Sequence, residues 1–176
     1  MCIRDRFVHY PQLADLVGSV LVKAPALTRQ LSQKPGLFDL LLNKEFFTPF
    51  TADPLCLPSV AEHVTGAGGP EQALNRLCLW ASEERFRVDV HLLQGLCNVR
   101  EAGARLSEIA DICICEITEM ARLDMRRRYG QLPEEQFAVI GLGRLGSQQL
   151  TSVSDLDLMF VYDSPSNTRS DGHQTL

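Results

Sequence analysis

Basic residues are outnumbered in this chain: 17 lysines and arginines stand against 22 aspartates and glutamates, a formal net charge of −5. With no basic stripe in any segment, tight nucleic-acid binding is not expected. Long hydrophobic runs are also missing. No stretch of eighteen apolar residues occurs, so no helical membrane span is expected. The first apolar stretches are broken by His9, Pro11, Gln12 and Asp15, which does not read as a signal peptide. Metal-binding cysteine pairs are absent as well. The six cysteines, at positions 2, 56, 78, 97, 113 and 115, form no Cys-x-x-Cys pair and have no histidine at zinc-finger spacing. Cys113 and Cys115 are two apart in a helical pattern, roughly 200° around the axis from each other, so they cannot grip one ion together. Reduced, mostly buried thiols in a cytoplasmic protein are the expectation. The four histidines, at 9, 63, 91 and 173, are isolated, and the sequence assigns them no role.

What is present is ordinary for a globular chain. Its 176 residues are 45% hydrophobic and 22% charged, enough for one sizeable domain or two small ones. The opening "MCIRDR" fits poorly with the residues after it and reads as a non-native leader over residues 1–6. The closing "SDGHQTL" completes neither helix nor strand, so the chain reads as a fragment. Residues 7–130 form a helical region, and residues 131–176 the beginning of a second, different domain.

In the helical region, "LADLVGSVLVKAPALTRQLSQKPGLFDLLLNKEFF" places Pro25 and Pro35 where new helices could begin their first turns. Residues 48–70, rich in proline and glycine, are the most loop-like section. "PEQALNRLCLWASEERFRVDVHLLQGL" then resumes helical spacing, with Leu74, Leu77, Cys78 and Trp80 expected to face a core. From about Glu101 to Tyr129, the residues Leu106, Ile109, Cys113, Ile117 and Met120 trace one buried stripe. Arg105, Glu108, Asp111, Glu119, Arg122 and Arg126 fall on the opposite side. Arg126, Arg127 and Arg128 crowd the last turn, where cations meet the helix dipole favourably, and Gly130 is placed to cap it. That triplet is read as a solvated helix end in preference to a phosphate contact.

At Pro133 the character changes. "FAVIGLG" is a short β-rich run ending in glycine, and "SDLDLMFVYD" alternates Asp155, Asp157 and Met159 against Leu156, Leu158 and Phe160. Two strands joined by a short glycine-rich connection are expected, with the architecture passing from all-helical to α/β. Gly141, Gly143 and Gly146 match the G-x-G-x-x-G of an NAD(P)-binding Rossmann oxidoreductase, with Asp163 closing the second run. That reading needs a full helix between its strands. "SQQLTSVS" is too short for one and has no apolar stripe.

The other reading takes the acids as the chemistry. Two Asp at i and i+2 on a strand share a face and could hold Mg²⁺ against substrate phosphates, the clamp used in nucleotidyl transfer. Gly146 and Ser147, at the start of a short helical segment, would offer N–H groups and a hydroxyl to a triphosphate. Leu156 and Leu158 would anchor the strand in the core. Taken alone, a D-x-D can equally be a solvated strand face.

The pattern G-S, a spacer, then D-h-D-h on a strand resembles the DNA polymerase β-like nucleotidyltransferases. "FAVIGLGRLGSQQLTSVSDLDLMFVYD" looks like the core of the bifunctional glutamine synthetase adenylyltransferase/adenylyl-removing family, and the helical section is similar to the helices that lead into that family's second catalytic half. The resemblance implies a helical region followed by the start of a nucleotidyltransferase core, an α+β fold cut short. It implies ATP and Mg²⁺ as cofactors. Asp155 and Asp157 would serve as catalytic metal ligands, and Arg144, Gly146, Ser147 and Ser154 would lie on the nucleotide. Arg144 stands where lysine is common, and Ser147 where glycine is frequent. The implied partners are glutamine synthetase, whose tyrosine would receive AMP, and a PII-type signalling protein. "LLLNKEFFTPF" and "SDGHQTL" favour the adenylylating half. A third carboxylate is implied on a later strand, so this chain alone is expected to be inactive. Residues 7–130 could also serve mainly as a docking module for a regulator or for glutamine synthetase.

Overall fold

A computed structural model of the chain describes residues 17–20, 22–50, 60, 68–131, 136–163 and 170–171. The leader and most of the loop expected over residues 48–70 lie outside the described residues. Helix α1 (Pro25–Gln33) begins on Pro25 at its first position, as the sequence suggests. Pro35 instead sits in a turn with Gly36, and α2 (Leu37–Leu40) begins two residues later. A 3₁₀ turn follows over Lys44–Phe47, capped by the Asn43 side chain.

Two long helices organise the molecule. Helix α3 (Pro70–Gln94) starts on proline, and α4 (Val99–Tyr129) follows after a four-residue break. At their tight corner, the Gly95 N–H donates to Leu92 O and the Leu96 N–H to His91 O, the paired bonds of a Schellman cap. Asn98 then opens α4 with a capping box. Its side chain accepts from the Glu101 N–H at 3.0 Å, and Glu101 accepts from the Asn98 N–H at 2.8 Å. This puts the start of α4 two residues ahead of the expected Glu101. Gly130 ends the helix, its N–H donating to Arg126 O beside the arginine triplet.

Helix α3 is central because it buries two sides. Phe86 and Val90 pack with Val20, Leu31, Leu37 and Phe46 from the preceding segments. Leu77, Trp80 and Val88 pack with Ala102, Leu106 and Ile109 of α4. Phe86 and Val88 are two residues apart, and so point to nearly opposite sides of the helix. Several sequence expectations fail here. Leu74 and Cys78 are exposed, although Leu77 and Trp80 beside them are buried. The stripe on α4 is buried only through Leu106 and Ile109; Cys113 and Met120 are half-buried and Ile117 is exposed. Arg105, expected on the solvent side, is buried at 7% exposure. None of the described cysteines is fully buried. Cys78 and Cys115 are exposed, Cys97 and Cys113 half-buried, and all four are free thiols.

Beyond α4 lies a two-stranded sheet, β1 (Gln136–Gly141) and β2 (Leu158–Asp163). The strands pair antiparallel, from Gln136 opposite Asp163 to Gly141 opposite Leu158. Antiparallel pairing overturns the Rossmann alternative, which needs parallel strands and a crossover helix. Between the strands, residues 142–157 make a longer excursion than the short connection expected. It holds one four-residue turn of helix, α5 (Gly143–Gly146). The protein is therefore mostly helical with a small antiparallel sheet.

Candidate functional site

The glycines of the connection are explained by what lies against them. Leu142 is extended, Gly143 takes the left-handed φ of 54°, and the chain coils back on itself at once. A Cβ on Gly146 would lie 2.6 Å from Gly141 O, and one on Gly141 would lie 2.9 Å from the Leu145 side chain. A Cβ on Gly143 would meet Asp157 Oδ2 at 2.7 Å. The Leu142 N–H also donates to Asp157 O at 2.9 Å. Asp157 is thus bonded to the glycine turn through its backbone, and its carboxylate lies against Gly143.

Each candidate residue has a definite place. Asp155 and Asp157 are exposed and lie just before β2, which begins at Leu158. The strand expected to carry both acids therefore starts after them. Leu156, expected as an anchor, is 45% exposed. Leu158, the other expected anchor, is half-buried against the α3–α4 core, and Leu145 and Leu150, each 5% exposed, are the deeper anchors there. Sequence reasoning passed over both, because neither belongs to an apolar stripe. Arg144 is exposed on α5. Gly146 and Ser147 come at the end of α5, not at its start. Their N–H groups are engaged within the turn, donating to Leu142 O and Gly143 O, while the Ser147 hydroxyl donates to Arg144 O at 3.3 Å. The Ser154 Oγ accepts from the Thr151 N–H at 3.0 Å and lies 2.8 Å from Thr151 Oγ1. Ser154 therefore shapes the turn that leads to Asp155.

Two further residues hold that turn, and no pattern in the sequence marks them. Arg85 of α3 donates to Ser152 O at 2.6 Å, and Asp89 of α3 accepts a hydrogen bond from the Ser152 hydroxyl. They stand 67 and 63 residues away along the chain. His91, likewise without a role in the sequence, is fully buried, with Nε2 at 2.6 Å from Phe46 O and its ring stacked on Phe50.

Among the described residues no cluster of three or more histidines, cysteines or acids could hold a metal, so the two carboxylates stand as a pair. Both are exposed hard-oxygen donors, the kind of ligand Mg²⁺ takes together with phosphates and water. A cleft of about 500 Å³ runs between α4 and β1 behind the turn, lined by Thr118, Arg122, Val139, Gly141 and Leu145 among others, and neither acid opens into it.

The class these observations define is a helical protein whose small antiparallel sheet carries an acidic glycine turn, docked on a helical hairpin. A profile of the glutamate-ammonia ligase adenylyltransferase family matches residues 14–176. The chain belongs to that family. Bifunctional glutamine synthetase adenylyltransferase/adenylyl-removing enzymes are similar to it. That of Rhizobium meliloti is 32% identical over 167 residues, covering 94% of this chain and 17% of the relative. The Brucella suis enzyme is 30% identical over the same length and coverage, and the Caulobacter vibrioides enzyme 32% identical over 160 residues, covering 91% of this chain and 15% of the relative. The chain thus spans about a sixth of these relatives. Among the described residues no helix is long and apolar enough to cross a membrane.

Proposed function

We propose that the chain is part of an enzyme that transfers AMP from ATP to a tyrosine of glutamine synthetase, and that residues 131–176 begin its nucleotidyltransferase core. The observation that carries this reading is the seating of the Asp157 carboxylate on Gly143, at the mouth of a glycine turn, with Asp155 exposed two residues away. Family membership and the relatives' names support the reaction and the acceptor protein. In the proposed reaction the acceptor hydroxyl oxygen forms a bond to the α-phosphorus and gives up its proton to solvent, the bond from the α-phosphorus to the bridging oxygen breaks, and pyrophosphate leaves with that electron pair.

Asp155 and Asp157 would hold Mg²⁺, which supplies neutralisation of phosphate charge and orientation of the phosphates. Arg144 presents a planar fork of donors beside the turn, suited to phosphate oxygens. The N–H groups of the Gly-Ser pair are engaged within the turn and the Ser147 hydroxyl donates to Arg144 O, so Ser147 would serve a nucleotide only by exchanging that exposed hydroxyl bond for one to phosphate. Ser154 contributes by holding the Thr151–Ser154 turn. Removal of AMP by a second core on the longer polypeptide, regulation by a PII-type signalling protein and a cytoplasmic location belong to the same proposal.

The test is Mg·ATP binding by calorimetry. Asp155→Asn and Asp157→Asn are each expected to weaken binding by about tenfold or more, the loss of one charge-assisted contact. Binding unchanged in both variants would sink the assignment.

A further inference from the structure

The glycine turn and the acids form the two ends of an excursion whose middle is gripped by the helical hairpin. On the α4 side, Gly103 lets the excursion pack closely. A Cβ there would lie 3.3 Å from Gln149 Cα and 3.3 Å from Leu150 O. On the α3 side, Arg85 and Asp89 are one helical turn apart, and both reach the same residue, Ser152. Arg85 takes its carbonyl and Asp89 its hydroxyl, so the two bonds fix position and rotation together. Between these two grips Leu150 is buried in the hairpin core. Ser152 lies inside the Thr151–Ser154 turn, which closes through the Ser154 N–H donating to Thr151 O at 3.0 Å. Asp155 is the next residue.

We propose that Arg85 and Asp89 are positioning residues for the Asp155–Asp157 pair, holding the Thr151–Ser154 turn that runs directly into Asp155 and on to Asp157. The proposal rests on the reading of those acids as the nucleotide site. Asp89 suits the task because it is half-buried and faces Ser152 as a hydrogen-bond acceptor. Burial leaves its carboxyl above the ordinary range, the Ser152 hydroxyl and neighbouring Arg85 offsetting only part of that rise. A carboxylate held in this way accepts a short, directional hydrogen bond. Through these two side chains the helical region has a direct hold on the residues it precedes in sequence by more than sixty positions.

The experiment combines two readouts in the same chain, amide hydrogen exchange and Mg·ATP affinity, for Asp89→Ala, Asp89→Asn, Ser152→Ala and Asp155→Asn. In Asp89→Ala the Thr151 and Ser154 amides should exchange about tenfold faster, since a hydrogen bond to a charged group is lost, while amides in the middle of α3 and α4 stay protected. Asp89→Asn keeps an acceptor oxygen and should restore most of the protection. Affinity for Mg·ATP should fall in Asp89→Ala and recover in Asp89→Asn. If Asp89→Ala loses helix content, Ser152→Ala, which removes one hydroxyl from a half-buried loop position, carries the same two readouts. Unchanged exchange at Thr151 and Ser154 would overturn the proposal whatever ATP does. Faster exchange with affinity lost in Asp155→Asn but kept in Asp89→Ala would also overturn it, leaving the site intact. Faster exchange with affinity indifferent to Asp155→Asn as well would instead place the failure in the nucleotide reading, and the positioning role would fall with it.

Discussion

Replacing Gly146 with alanine tests whether the glycine turn is held by packing or is simply a flexible connection. The new Cβ would lie 2.6 Å from Gly141 O, 0.4 Å inside the 3.0 Å that Cβ atoms keep from other atoms. Both atoms belong to the framework of the turn, so no side chain can swing aside to relieve the overlap. Forced overlap of this kind costs about 1–3 kcal/mol. The alternative is for the excursion to lift away. That would expose Leu145 and Leu150, each worth about 1.5–3 kcal/mol of burial, so the loss is capped by their docking energy. A destabilisation of about 2 kcal/mol is therefore expected. At about 2–4 °C per kcal/mol for a chain of this size, it would lower the melting temperature by about 4–8 °C. Gly36→Ala is the matched control, because Gly36 has φ −59° and ψ −24° and nothing within 4 Å of its Cβ position. There, alanine should stabilise by about 0.4–1 kcal/mol through the unfolded chain alone. Circular dichroism melts of both variants and the parent chain decide the matter. A Gly146→Ala melt at or above that of Gly36→Ala would refute the packing argument.

Two further predictions come from the helical hairpin. Burial holds the His91 imidazole below its ordinary value of 6.5, the bond to Phe46 O opposes this, and Arg87 lowers it further. A lowered folded pKa means that stability is fully present above 6.5 and is lost as pH falls through the folded value. Urea midpoints should therefore fall between pH 6.5 and 5 for the parent chain and less steeply for His91→Gln; equal slopes would exclude His91 as the cause. The Cys113 thiol is pushed up to about 11, first by burial and then by neighbouring Cys78 and Glu116 against the pull of Arg85. Iodoacetamide at pH 8 should alkylate exposed Cys115 well before Cys113, because the thiolate does the attacking; equal labelling by peptide mass spectrometry would contradict the burial seen on α4.

How much of this was legible in the sequence depended on the range of the interaction. Caps and helix starts are local, so Pro25 and Gly130 could be read directly. Asn98 with Glu101 carried an equally local signal that periodicity alone passed over, because the apolar stripe starts later than the helix. Burial is set by neighbours, and here the pattern misled. Ile117 continues the helical spacing of Ile109, yet it is exposed while Met120, one turn further on, is half-buried against the core, a difference that spacing does not contain. Arg105 looked solvated because charge usually is. It is buried because its guanidinium stacks 5.1 Å from the Phe50 ring and pairs with Glu108 at 2.8 Å. For the site, the acids and glycines were visible while the grips on them were not. Ser152 with Arg85 and Asp89 is a contact that no spacing rule contains.

The G-x-G-x-x-G string shows why a glycine pattern underdetermines chemistry. A glycine reports that something approaches the backbone closely; it does not report what. In a dinucleotide site the visitor is a pyrophosphate. In this chain the visitors are internal: Leu145 against Gly141, the Gly141 carbonyl against Gly146, and the Asp157 carboxylate against Gly143. Direction separates the two cases. A parallel second strand would need a crossover helix and would carry its acid away from the turn, whereas the antiparallel register from Gly141–Leu158 to Gln136–Asp163 brings the chain back to the turn just before β2 begins. Asp157 arrives there because Leu158 is paired with Gly141, and a one-residue slip would take its carboxylate off Gly143. The glycine turn and the two acids, which the sequence offers as rival motifs, are thus one structural unit, and a change to either should be felt in the other.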